Sequence, residues 1–190
     1  MPLAAAAFAR RLPKGHRPTQ PGEIVQLDTL TFRPRHGQAP IQQFTAYDPV
    51  TKWTCAQACR RATAHNAKRF LDKLVTELPF PIAALQVDGG SEFKADFERE
   101  CKRRGIALFE LPPRSPQLNG HVERNNGAWR YEFYGCWDLD TDRLDDTNRW
   151  LDAFADEFNT FRPHQALDGR TPMQYLQHLT AHRDPPSHMS

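Results

Sequence analysis

A chain of 190 residues, 39% hydrophobic and 25% charged, suffices for one ordinary domain with a real core, and none of its apolar runs is long enough to span a bilayer. The formal charge of +2 and pI near 8.4 conceal basic clusters at Arg10-Arg11, Arg33 and Arg35, Arg60-Arg61 and Lys102 to Arg104, which suit a polyanion and equally a solvated face. The four cysteines, Cys55, Cys59, Cys101 and Cys136, contain no Cys-x-x-Cys pair, which argues against a zinc module and for reduced, mostly buried thiols.

In chain order, the alanine-rich start lacks a basic segment before its apolar run, and Arg10-Arg11 follow it, so it reads as a cytosolic leader rather than a secretory signal. Residues 1–21, rich in Arg, Pro and Ala, read as a flexible basic linker. Ile24 to Asp28 is an expected strand with the acid where strand gives way to loop. Ile41 to Tyr47 and Trp53 to Ala58 are two more around the turn Asp48-Pro49-Val50-Thr51, which implies an antiparallel meander. Thr63 can cap a helix carrying Ala67, Phe70, Leu71, Leu74 and Leu78 on one stripe, and Pro79-Phe80-Pro81 stops it.

The next strand, Ile82 to Val87, returns over that helical crossover, which favours an orientation parallel to the first. Parallel neighbours about 4.8 Å apart would bring Asp28 and Asp88 together. Ser91 is expected to open a helix with Phe93, Phe97 and Cys101 on one face, and Ile106 to Leu111 is a fifth strand. After the loop Pro112 to Pro116 a helix is expected from Ser115 or Asn119 to Tyr134. Its buried stripe is Leu118, Val122, Trp129 and Phe133, with Asn119, Glu123, Gly127 and Arg130 along a polar strip. A further helix from Thr141 to Asn159 and a short one from Thr171-Pro172 complete a core over 22–180, followed by a disordered tail, 181–190. Cys55 and Cys59 read as core, Trp129, Trp137 and Trp150 as packing or dimer contacts, and His121 as a surface or DNA-facing residue.

Two strand-end aspartates and one helical glutamate, with 34 residues between Asp88 and Glu123, make a metal-site hypothesis. Two carboxylates about 4 Å apart repel by roughly 4 kcal/mol at an effective dielectric near 20, a sign that a divalent cation reverses. Hard Mg²⁺ prefers oxygen ligands and keeps waters, which matches one or two carboxylates per ion plus substrate phosphate oxygens. Each acid taken singly is also an ordinary turn, cap or surface residue.

The motifs VQLDT, QVDGGSEF, PRSPQLNGHVER and FNTFRPHQALDGRTPMQYL stand in an order that resembles the catalytic core of acidic-triad (DDE) transposases and retroviral-type integrases, above all the insertion-sequence transposases, over roughly Pro21 to Gln177. The resemblance implies an RNase H-like α/β fold, a five-stranded mixed sheet flanked by helices. It implies a polynucleotidyl transferase for DNA cleavage and strand transfer, using two Mg²⁺ or Mn²⁺ ions: Asp28 would bridge both, Asp88 bind one and Glu123 the other. Gly89 and Gly90 would let backbone approach a duplex, Arg114 and Arg130 would hold phosphates, and Asn119 would touch a base or sugar, with solvated surface roles and helix capping as rivals. Gly89 departs from the Asn usual in similar sequences; a positive-φ turn accepts either residue, and the lost side-chain hydrogen bond could loosen Asp88.

Such proteins usually carry a helix-turn-helix region before the linker, and residues 1–21 do not read as one. The expected partners are DNA, as mobile-element ends and target, and a second copy of the chain, with a cytoplasmic, nucleoid-associated location. Two other readings stand beside this one: a DNA-binding module whose catalysis has lapsed, and a metal nuclease of the same fold that cuts without joining.

Overall fold

Alternating apolar residues drive the first three strands of the computed structural model, which describes residues 11–13, 15–34, 37–111, 120–136 and 139–181. β1 (Val25–Phe32), β2 (Ile41–Tyr47) and β3 (Thr54–Cys59) form the expected antiparallel meander. The crossover helix α1 (Ala64–Glu77) returns the chain to β4 (Ala84–Val87), parallel to β1, and β5 (Ala107–Glu110) adds parallel to β4. The strand order β3-β2-β1-β4-β5 makes a five-stranded mixed sheet with β1 at its centre. Around it lie α2 (Asp96–Arg103), α3 (Gly120–Ala128), α4 (Leu144–Thr160) and α5 (Pro172–Ala181).

The strand period of two sorts the core into two clusters, one per sheet face. Val25, Leu27, Phe44, Leu85 and Val87 pack with Phe70, Leu71 and Leu74 of α1 and Phe97 and Cys101 of α2. Leu30, Ile41, Ala56 and Ala58 pack with Trp129, Phe133 and Leu151. Cys55 and Cys59, both buried, belong to the first cluster as their shared strand face implies; Cys101 is buried as well, and Cys136 is exposed.

Local chemistry sets the helix ends. The Thr63 hydroxyl accepts the Asn66 N–H at 3.2 Å and caps α1. At α5, Thr171 and Gln174 form a reciprocal capping box: the Thr171 hydroxyl accepts the Gln174 N–H at 3.2 Å, and the Gln174 side chain accepts the Thr171 N–H at 3.0 Å. No helix among the described residues is long and apolar enough to cross a membrane.

Three expectations are corrected. The helix expected from Ser91 is broken: a 3₁₀ turn covers Ser91–Phe93, Ala95 sits at φ 50°, and α2 starts only at Asp96. Burial of Phe93 beside Phe97, with ring centroids 5.3 Å apart, holds the break together. α4 begins at Leu144 rather than Thr141, because the Thr141 N–H and hydroxyl both bond the Gln38 side-chain oxygen at 3.0 Å. Finally, α3 does not run on to Tyr134 as a regular helix but widens into a π-turn over Trp129–Phe133, which still buries both Trp129 and Phe133.

β3 is an edge strand, and α4 closes it with side chains. Asn159 accepts the Thr54 N–H at 2.9 Å and donates to the Thr54 carbonyl at 2.8 Å. Asn148 does the same for Ala58, at 2.7 and 3.1 Å. Each amide reproduces the donor and acceptor of a missing neighbour strand, so these backbone groups are satisfied without leaving a pairing template.

Candidate active site

The parallel pairing of β1 with β4 joins Val25 to Leu85 and Gln26 to Gln86, an offset of 60 that Asp28 and Asp88 share. Buried Gln26 and Gln86 meet on one sheet face, where Gln26 Nε2 donates to Gln86 Oε1 at 2.9 Å. Two residues further along lie Asp28, on the same face of β1 as Gln26, and Asp88, the first residue after β4. Asp28 is not at the end of its strand, contrary to expectation, because β1 continues to Phe32 in antiparallel pairing with β2. β4, by contrast, stops at Val87, so Asp88 does follow a strand end.

Each aspartate is held by its surroundings. Asp28 accepts the Thr29 N–H at 2.9 Å and the Asn126 side-chain N–H at 2.6 Å. Asp88 is exposed and accepts the Gly90 N–H at 3.0 Å, across a turn in which Gly89 takes φ 83°. A Cβ at Gly89 would also meet the carboxylate end of the Glu110 side chain, which would have to move aside.

The contact from Asn126 brings α3 to Asp28. Asn126 lies three residues after Glu123, a spacing that puts both on neighbouring parts of one helix surface. The backbone of Glu123 is in α3, while its side chain and that of His121 lie outside the described residues, as do all of Arg114, Asn119 and Trp137. Arg130 is exposed on the π-turn, and Gly127 is half-buried. Among the described residues no three His, Cys, Asp or Glu side chains are grouped so that they could hold a metal ion. Asp28, held by the Thr29 and Asn126 N–H groups, and Asp88, exposed and held by the Gly90 N–H, offer carboxylate oxygens of the type a hard divalent cation takes.

The polar residues beneath α3 were missed as partners in the sequence. Asn125 donates to the Thr54 hydroxyl at 2.8 Å, Gln43 to the Thr45 hydroxyl at 3.0 Å, and Tyr134 to Gln43 at 2.5 Å, all buried. Helical spacing from Glu123 could have singled out Asn126, and the Gln two residues before each aspartate could have announced the Gln26–Gln86 contact.

Residues 104–172 match the family model described as integrase core domain. The fold aligns with the HTLV-2 integrase catalytic core domain solved in complex with magnesium, at a TM-score of 0.65 and 18% identity, over 84% of this chain and 99% of that one. The chain shares the RNase H-like fold of the integrase catalytic cores. The BIV integrase core shares it at a TM-score of 0.63 and 20% identity, over 86% of this chain and 99% of that one. A chain of the simian T-cell lymphotropic virus intasome matches at a TM-score of 0.70 and 21% identity, over 94% of this chain. This chain spans 61% of the length of that intasome chain. No curated protein matches by sequence.

Proposed function

We propose that this integrase-type core is a metal-dependent polynucleotidyl transferase, the catalytic domain of a transposase or integrase, which cleaves a DNA strand and transfers it by in-line attack at a phosphodiester. The observation that carries the reading is the parallel pairing of Val25 with Leu85 and of Gln26 with Gln86, two residues before Asp28 and Asp88, together with the bond from Asn126 of the Glu123 helix to Asp28. The resemblance of the motifs and the integrase core match support it.

Asp28, Asp88 and Glu123 would hold two Mg²⁺ or Mn²⁺ ions, which when bound supply positive charge for activating the attacking oxygen and stabilising the leaving one. The protein's own residues supply the positioning. Asn126 and the Thr29 N–H fix the Asp28 carboxylate, and the Gly90 N–H fixes that of Asp88. No covalent protein nucleophile enters, because water and a sugar hydroxyl are chemically similar attackers that one site can serve in turn. Arg114, Asn119 and Arg130 are the proposed DNA contacts, and a homodimer is the smallest assembly that pairs two DNA ends.

The test is incubation with branched or nicked transposon-end DNA in Mn²⁺ or in EDTA, comparing the natural chain with Glu123→Gln. Joining or reverse joining that needs the cation and is lost in Glu123→Gln is expected. Cleavage that persists in chelator or in the variant refutes the assignment, and products that are cut but never joined make the protein a nuclease. Independently of turnover, Mn²⁺ should raise the Tm of the natural chain and have little effect on Asp28→Asn.

A further inference from the structure

Beside the candidate site a cavity of about 360 Å³ is walled by the rings of Tyr47, Tyr131, Phe158 and His164 and edged by Arg124 and Arg162. The sheet register locates it. Asp28 pairs with Thr45, so Tyr47 is its diagonal neighbour on the same sheet face, a relation that spans about 7–8 Å. Arg124 directly follows Glu123, and Asn125, also in the wall, directly precedes the Asn126 that holds Asp28. Cavity and acids thus share one helix and one strand pair.

We propose that this cavity receives one unpaired nucleotide of the DNA strand engaged at the acids, its base against the aromatic walls and its phosphate toward Arg124. This deepens the strand-transfer reading above and rests on it. The size suits a single nucleotide and excludes a duplex, since small-ligand pockets begin near 300 Å³. Aromatic faces stack any base, which suits a site that must act whatever the sequence.

The wall is pre-organised. Arg162 lies 5.0 Å from the Phe158 ring centre and is held by Glu132, to which its Nη2 donates at 2.9 Å, while the His164 ring packs on Phe158 at 4.9 Å. Burial, then Arg162 and Lys52, hold the His164 imidazole below its ordinary range, so near neutral pH it offers a flat uncharged ring. A second cavity of about 310 Å³ continues the first through the shared Glu132, Phe158 and Arg162, toward Phe161. Tyr131 is 77% exposed and Phe161 75% exposed, so the described residues place two of their most exposed large rings along one path. Arginine at the mouth, and a wall built on the helix that carries Glu123, favour a nucleic-acid strand over an apolar peptide.

Fluorescence anisotropy in EDTA tests this without chemistry, using the full chain, a labelled oligothymidine of about twelve nucleotides and a blunt duplex of equal length. Tyr131→Ala, a change at an exposed ring that should leave the Tm unaltered, is expected to weaken the single strand roughly 5-fold or more and leave the duplex within about 2-fold. Arg124→Ala should lower the salt slope of single-strand binding by about 0.7. Single-strand affinity that is absent, unchanged in both variants, or lost in parallel with duplex affinity overturns the proposal and assigns the cavity to another ligand. Binding in EDTA needs neither cation nor turnover, so a failure of the joining test and a failure of this one are read separately.

Discussion

Asn126 decides how the helix of the third acid meets the first. Its Nδ2 donates to Asp28, while its buried Oδ1 has no hydrogen-bond partner among the described residues, so that single charge-assisted bond is the amide's polar anchor. Partners of ligating groups typically cost 10- to 100-fold in metal affinity or activity when removed. Asn126→Ala should accordingly stay folded by circular dichroism yet need about 10- to 100-fold more Mn²⁺ for the same rise in Tm. Gly89 is constrained twice, by φ 83° and by Glu110 in the space of a Cβ. Gly89→Ala should cost about 1–2 kcal/mol from the left-handed backbone, plus the displacement of Glu110. Adding Glu110→Ala should recover the second part and not the first, as read from urea denaturation of both variants.

At the level of elements, charge ties α2 to α1 across the first core. Arg104 reaches Asp72 of α1 and donates to Glu100 at 2.6 Å, Arg103 bonds the other side of Glu100, and Lys68 of α1 stands 3.6 Å away. The bonds from Arg103 and then Arg104 lower the Glu100 carboxyl from 4.5 to about 2. A carboxyl depressed in the folded state stabilises fully above its unfolded pKa and loses that contribution as pH falls through the folded one. The Tm difference between the natural chain and Glu100→Gln should therefore be largest above about pH 4.5 and close between there and about pH 2. On the opposite face, fully buried Trp129 lies edge-on to Phe133 and tilted against Phe154, with ring centroids at 5.9 and 4.8 Å. Trp129→Ala should cost about 3–5 kcal/mol in denaturant, and the damage should spread to the candidate site, because the same continuous helical run carries Glu123 and Asn126.

Across the whole molecule, one sheet face is an apolar floor for α1 and α2, while the other mixes an apolar patch with a seam of buried amides and hydroxyls under α3. Such a seam specifies register, since a slip of one residue would strand every polar partner at once. The same economy governs the edge, where Asn148 and Asn159 of α4 answer the backbone of β3. Asn148→Ala combined with Asn159→Ala should leave those strand groups unpaired and make the chain associate at high concentration, measured by light scattering, where each single variant stays closer to the natural chain.

Much of this was open to direct reading. Apolar alternation, Thr63, the proline stop and the crossover length determined the meander, the capped helix and the parallel return strand, because each depends on neighbours within one or two turns of chain. The local motifs likewise singled out Asp28, Asp88 and Glu123 as the proposed acids. Tertiary structure alone decided that β1 runs past Asp28, since the extra residues are held by pairing with β2 rather than by their own pattern. It alone broke the helix at Ala95 and widened α3 into a π-turn, where burying Phe93, Trp129 and Phe133 outweighs regular helix geometry. The bond from Asn126 to Asp28 spans 98 residues, and no local propensity encodes a contact whose two ends meet only after the sheet and its covering helix have assembled.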